Sequence, residues 1–444
     1  MGLAVGEQCK RLGIQVNYAP VVDINNNPNN PVIGYRSFGE DKNKVARFGI
    51  AYMKGMQDVG IMACAKHFPG HGDVDVDSHL DLPVINKTMK QLDTAELMPF
   101  KALINAGIGS VMVAHLSVPA IDNAPNRPAS ISKNAVTGLL RDSLGFKGLV
   151  FTDALEMKGI AKYYPSGSIS VEALIAGNDM LCLPASVAES IEVIKKALAD
   201  GRLEQNDIDS RVKKVLGAKY QLGLNKANVI DTANLVNDLN AKTDPIRREA
   251  AEKTIVVLSQ ASSKATRNDY AEIPVKAGKK IAYIGIGLTE LNGFARRMQN
   301  DLQADVFMLS YKDGKGKADS ILAQVPKDGK YDAIVLGFHG YALKPIDNFG
   351  LSKVSLDLFK ELNSIRTITI SFGNVLANKN FCEAYSLMAC HQDDSITQQV
   401  AADILEGKLN ASGKLPVSVC NYVYGTGIVK NEKDPTWHKL SKLD

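Results

Sequence analysis

The sequence predicts an α/β protein, in which a (β/α) TIM-type barrel, incomplete at its N-terminal end, is followed by a second α/β sandwich domain. Three observations carry this expectation. Short continuous apolar runs, bounded by turn formers or charged residues, read as strands buried on both faces. Helical stretches alternate with these runs, which calls for parallel strands. Nearly every early strand also stops at a polar residue, and the carboxyl end of the strands is where barrels of this kind assemble their sites.

Residues 3–13 read as a helix, and residues 14–22 as a strand that ends in Asp23. The loop after it is rich in Asn and Pro and leads to Gly34-Tyr35-Arg36-Ser37-Phe38-Gly39-Glu40-Asp41. A helix over 43–59 returns the chain to a buried strand, Met62-Ala63-Cys64-Ala65, which stops at Lys66-His67-Phe68-Pro69-Gly70-His71-Gly72. Further strands at 110–114, 148–151 and 179–183 stop at His115, at Thr152-Asp153 and at Pro184, with helices over 89–106, 133–144 and around 171–176. Helices at 189–200 and 206–220 close this part, which is assigned to residues 1–222. Five strands are found where a closed barrel of this type has eight.

Residues 223–247 are polar, without a strong apolar period, and suit a linker. Apolar runs at 254–258, 280–286, 305–309, 332–337, 366–371 and 386–389 then define the second domain, residues 248–425. Residues 426–444 hold the only Trp, Trp437, and read as a tail or the start of a further domain.

At 444 residues, with 45% apolar and 23% charged, the chain is long enough for two globular domains. A net charge of +4 without blocks of like charge points away from nucleic acid and anionic membranes, and toward a small neutral partner. No segment approaches the roughly 20 apolar residues of a membrane span, and the start lacks the layout of a signal peptide. Six cysteines are scattered without CxxC pairs and say little about redox setting. Nothing bears on oligomeric state.

Chemistry concentrates after Lys66. Three of the seven histidines, His67, His71 and His79, fall in one short window beside Asp73, Asp75, Asp77 and Asp81. Asp77 and His79, two apart in an extended loop, present their side chains on one side, and an imidazole with an ordinary pKa of about 6.5 both gives and takes a proton near neutrality. Asp153 ends a buried strand, where it either points its carboxylate into the cleft or caps a helix over 154–160. Metal binding is disfavoured. Asp73, Asp75 and Asp77 alternate as in a calcium loop, but Ser78 and Val84 stand where that loop needs Gly and an acid, while Pro69 and Gly70 keep His67 and His71 off a zinc-binding helix. Gly285-Ile286-Gly287 lacks the third glycine of a nucleotide site. No metal and no cofactor is expected.

The run KHFPGHG, with Asp77-Ser78-His79 and Pro83 downstream, resembles glycoside hydrolase family 3, in its β-N-acetylglucosaminidase branch. The resemblance implies that Asp153 is the catalytic nucleophile, that His79 is the general acid/base, that Asp77 orients His79, and that Arg36, Lys66 and His67 bind the sugar. It implies a retaining exo-glycosidase acting on terminal N-acetylglucosamine of peptidoglycan fragments or chitin oligomers. The compartment stays open, with a periplasmic or otherwise extracytoplasmic setting slightly favoured over the cytoplasm. The resemblance also places a further strand or two upstream of Met1, so the chain reads as truncated there. The alternatives are a β-glucosidase, a phosphorylase that uses phosphate because the spent histidine is neutral, and an inactive sugar-binding barrel.

Overall fold

The computed structural model describes residues 1–74, 82–164, 167–226, 229–263, 270–276, 278–326, 329–430 and 437–439. The chain divides into two compact units, residues 1–241 and 242–444.

In the first unit, four strands form one sheet in the order β1-β2-β3-β4: Val16–Asn17, Met62–Phe68, Ser110–Val113 and Leu149–Thr152. All three pairings are parallel. The runs that read as apolar on both faces are buried on both. Ala63, Ala65, Val111, Val113 and Val150 pack against Met53, Met56, Phe100 and Leu103 of the covering helices, while Cys64, Met112 and Phe151 meet Met180, Val215 and Ala218 on the other face. This is the parallel α/β sheet of a barrel.

Three elements differ from the expectation in informative ways. The strand foreseen over 14–22 pairs regularly only at Val16–Asn17 and again through a bridge from Val21 to Lys66. The strand foreseen at 179–183 is reduced to a bridge between Phe151 and Met180. The helix foreseen over 89–106 is two helices, Met89–Thr94 and Leu97–Asn105, separated at Ala95, which takes φ −125° and ψ −85°. Pro99 explains the break: its ring clashes with the carbonyl four residues back in a continuous helix, but it is tolerated in the first turn of a new one. The break turns Glu96 inward, where it is 2% exposed.

The second unit holds an eight-stranded sheet, ordered β12-β11-β5-β10-β9-β8-β6-β7. The strands are β5 (Val256–Ser259), β6 (Ile281–Ile286), β7 (Asp305–Leu309), β8 (Ala333–Phe338), β9 (Thr367–Ser371), β10 (Ser386–Ala389), β11 (Ile428–Lys430) and β12 (Trp437–Lys439). Strands β6 to β10 pair in parallel, and β5, β11 and β12 join antiparallel. Apolar cores lie on both faces. A disulfide joins Cys382 to Cys420, a pairing that their scattered positions had not signalled.

The turn after β2 depends on two glycines. Gly70 has φ +130°, and a Cβ there meets the Glu96 side chain at 2.7 Å; a Cβ on Gly72 meets the Ile24 carbonyl oxygen at 1.7 Å. Gly72→Ala is therefore expected to lose at least about 2 kcal/mol of stability, read from urea unfolding midpoints.

Candidate active site

Asp23 stands where the first strand runs out, and its carboxylate is 1% exposed. Three N–H groups answer it, from the end of β2 and the turn that follows. Its Oδ1 accepts from the backbone N–H of His67 at 3.1 Å and of His71 at 2.7 Å, and its Oδ2 lies 2.7 Å from Nδ1 of His67. Burial alone would raise the Asp23 carboxyl, but His67, His71 and these hydrogen bonds outweigh it and hold the group below the usual carboxylate range. An ionised Asp23 can only accept, so His67 donates from Nδ1. That leaves Nε2 of His67 as the acceptor for Nη2 of Arg36, 3.3 Å away.

The loop after β1 is fixed from beneath by Asn30. Its Nδ2 donates to the carbonyls of His71 and Gly72, at 2.8 and 3.0 Å, and its Oδ1 accepts from the N–H groups of Val32 and Ile33. The short turn that follows, Gly34–Arg36, delivers Arg36. Asp41 caps the helix Lys42–Gln57 through the N–H of Lys44 at 2.8 Å, so it is occupied there.

Lys66 precedes His67 on β2 and is partly buried. Its ammonium is pushed below the ordinary lysine value by burial first and by Arg36 second, against the opposing pull of Cys64, Asp153 and Asp23. Asp153 follows β4, its backbone N–H donating to the carbonyl of Val113 at 2.9 Å. It does not open a helix at 154, because the next helix is Lys158–Ala161; instead its Oδ1 accepts from the N–H of Ala154 at 2.9 Å. Burial would raise the Asp153 carboxyl, yet His67, His115, the Ala154 N–H and His71 together bring it below the usual range.

His115 follows β3 and is 1% exposed. Its Nε2 lies 2.9 Å from the carbonyl of Ala154, which can only accept, so Nδ1 takes the Ser130 hydroxyl at 2.7 Å. The imidazole thereby holds the backbone next to Asp153. Burial pushes both His115 and His71 down, His71 to about 4, so both are neutral near pH 7. Among the described residues, no group of three or more His, Cys, Asp or Glu is arranged to hold a metal ion.

Of the residues singled out from the sequence, Arg36, Lys66, His67 and Asp153 gather at the carboxyl ends of β2 and β4. Asp77 and His79 lie outside the described residues. Sequence reasoning missed Asp23 as the centre of the cluster and left His71 and His115 aside. The available signal was position: each ends or follows a buried strand, as Asp153 does.

A parallel α/β sheet whose carboxyl-end loops gather two ionised carboxylates, three imidazoles and two cations has the layout of a barrel active site. Residues 1–218 match the glycosyl hydrolase family 3 N terminal domain, and the first unit of the chain belongs to that family. The chain is 35% identical over 245 residues to Beta-hexosaminidase A of Pseudoalteromonas piscicida, covering 51% of this chain and 41% of that protein. It is 31% identical over 268 residues to a beta-N-acetylglucosaminidase/beta-glucosidase of Cellulomonas fimi, covering 58% and 47%. The chain spans about half the length of these curated relatives. Among solved structures, a glycoside hydrolase family 3 beta-N-acetylglucosaminidase from Paenibacillus sp. str. FPU-7 superposes with a TM-score of 0.74 at 26% identity, over 94% of this chain and 78% of that one.

Two outcomes follow from this electrostatic arrangement. Asp23→Ala strands three buried N–H groups and is expected to cost on the order of 3 kcal/mol or more, while Asp23→Asn, which keeps one acceptor oxygen, costs less; urea unfolding distinguishes them. Since His71 titrates near 4 when folded and near 6.5 when unfolded, the unfolded chain binds an extra proton between those values. Stability therefore falls as pH is lowered through that window, and His71→Gln flattens the slope in unfolding measured against pH.

Proposed function

We propose that the chain carries the catalytic unit of a retaining exo-β-N-acetylglucosaminidase, acting on non-reducing terminal N-acetylglucosamine of peptidoglycan fragments or chitin oligomers. The observation that carries this reading is the Asp153 carboxylate at the end of β4, whose Oδ1 accepts from the Ala154 N–H at 2.9 Å and whose pKa is held below the usual carboxylate range. An ionised carboxylate at a barrel's carboxyl face is the nucleophile that retention requires. The acetamido preference draws on the names of the similar proteins, a beta-hexosaminidase and beta-N-acetylglucosaminidases.

In this reading, an Asp153 oxygen attacks the anomeric carbon as the glycosidic C–O bond breaks, and His79 gives its proton to the leaving oxygen. Asp77 holds the His79 ring in the tautomer and orientation for that transfer. Water then attacks the glycosyl ester, its proton returns to His79, and Asp153 leaves as carboxylate. Arg36, Lys66 and His67 bind the ring hydroxyls in the innermost subsite, with charge-assisted donation from the two cations. Asp23 contributes by fixing the direction in which His67 points.

Incubation with a 5-fluoro N-acetylglucosaminyl fluoride is expected to leave a sugar adduct on Asp153, located by peptide mass spectrometry, and Asp153→Ala to lower kcat at least about a thousandfold. An adduct on another residue overturns the mechanism. Faster turnover of nitrophenyl glucoside than of the N-acetylglucosaminide would reassign the substrate, and sugar binding unchanged by Asp153→Ala with no turnover at all would mark a binding barrel.

A further inference from the structure

Glu96 is a buried carboxylate that the proposed chemistry does not use, and its surroundings are built rather than incidental. Its Oε1 accepts from Nδ2 of Asn26 at 3.0 Å, in the loop after β1, and from the ammonium of Lys87. The aliphatic part of its side chain lies where a Cβ on Gly70 would sit, so the turn after β2 is moulded onto it. Its Oε2 is buried without a hydrogen-bond partner among the described residues. Lys87 in turn reaches the Asp73 carboxylate at 2.7 Å. Burial alone would lower the Lys87 ammonium, but Asp73 and Glu96 outweigh it and raise it, so the cation persists.

These four side chains span the two stems of residues 75–81. Asp73 stands before that stretch and Lys87 after it. The incoming stem is held further by Asn27, whose Nδ2 donates to the Val74 carbonyl at 3.3 Å. The outgoing stem is held by a parallel bridge from Val84 to Ser117, in which the N–H of Ile85 donates to the Ser117 carbonyl and the N–H of Ser117 to the Pro83 carbonyl, both at 2.9 Å. A single cation thus joins both stems to one carboxylate in the core. If stem anchoring alone were the purpose, the backbone pairs would serve; a charged pair at the core boundary, where desolvation is costly, fixes the two ends against each other as well.

We propose that Lys87 and Glu96 are positioning residues for proton transfer, setting the separation and direction of the two ends between which His79 is carried. The inference rests on the reading that His79 is the acid/base. A displaced acid slows cleavage of leaving groups that need a proton and spares those that do not. A purely structural role slows both alike.

The test uses the full chain and kcat/KM, which reports bond cleavage, for two aryl N-acetylglucosaminides. 3,4-Dinitrophenolate departs without protonation, whereas methylumbelliferone benefits from it. Lys87→Met is expected to lower kcat/KM about 10- to 100-fold for the methylumbelliferyl substrate, within the range that acid catalysis contributes, and less than about 3-fold for the dinitrophenyl one. Lys87→Arg is expected to restore most of the loss, and Glu96→Gln to reproduce the selectivity. His79→Ala is run beside them. If His79→Ala slows both substrates alike, the acid/base reading is what fails. If His79→Ala is selective but Lys87→Met and Glu96→Gln slow both substrates equally, or neither variant folds by circular dichroism, positioning is overturned.

Discussion

A carboxylate as deeply buried as Asp23 must have its charge answered on the spot, and it is answered entirely by one turn of the chain. Two backbone N–H groups and an imidazole N–H from His67 to His71 converge on its oxygens. Because those donors are spaced along a segment containing Pro69 and Gly70, the turn can close on the carboxylate only in a compact, non-helical path. The path sets the direction of His67, and through Nε2 of His67 it sets Arg36. One buried charge therefore couples the exits of two neighbouring strands, and the side chains offered to a ligand inherit that coupling.

The site manages its charges by a division of labour. Asp23 and Asp153 are both held below the ordinary carboxylate range, while His71 and His115 are driven toward the neutral form by burial. The Asp23 charge is consumed by N–H donors inside the protein. Asp153 is less completely enclosed and accepts a backbone N–H from Ala154. A carboxylate whose hydrogen-bonding capacity is filled has little left to offer a ligand, so the same side chain at the ends of two strands of one sheet is left in two different states, set by how many donors the neighbouring loop supplies.

Much of this was legible in the sequence, and the reasons for the rest are physical. Doubly buried strands are written as apolar runs, so 110–113, 149–152 and β5 to β10 of the second unit stood out where they occur, whereas β11 and β12 fall in the stretch read as a tail or the start of a further domain. The residue after such a run identified Asp153 as a candidate, since direction of the strand fixes which end carries polar groups; His115 follows the same rule and was left aside. Asp23 was visible by the same rule, but nothing local reveals that its partners lie more than 40 positions away, in the turn containing His67 and His71. The break at Ala95 could have been read from Pro99, and was hidden by an apolar period that persists across it. Pairing of Cys382 with Cys420 depends on strand order in the second sheet, which spacing does not encode.

That cross-link closes a stretch of 38 positions and ties the segment after β9 to the one before β11. Bridges of this type form and endure where the surroundings are oxidising, and thiols stay apart where glutathione is abundant. Material of identical sequence is thus not a single chemical species by default: the host chosen for its production decides whether the second unit is clasped or unclasped, and preparations made in different compartments differ by two hydrogens and by the freedom of that stretch to open.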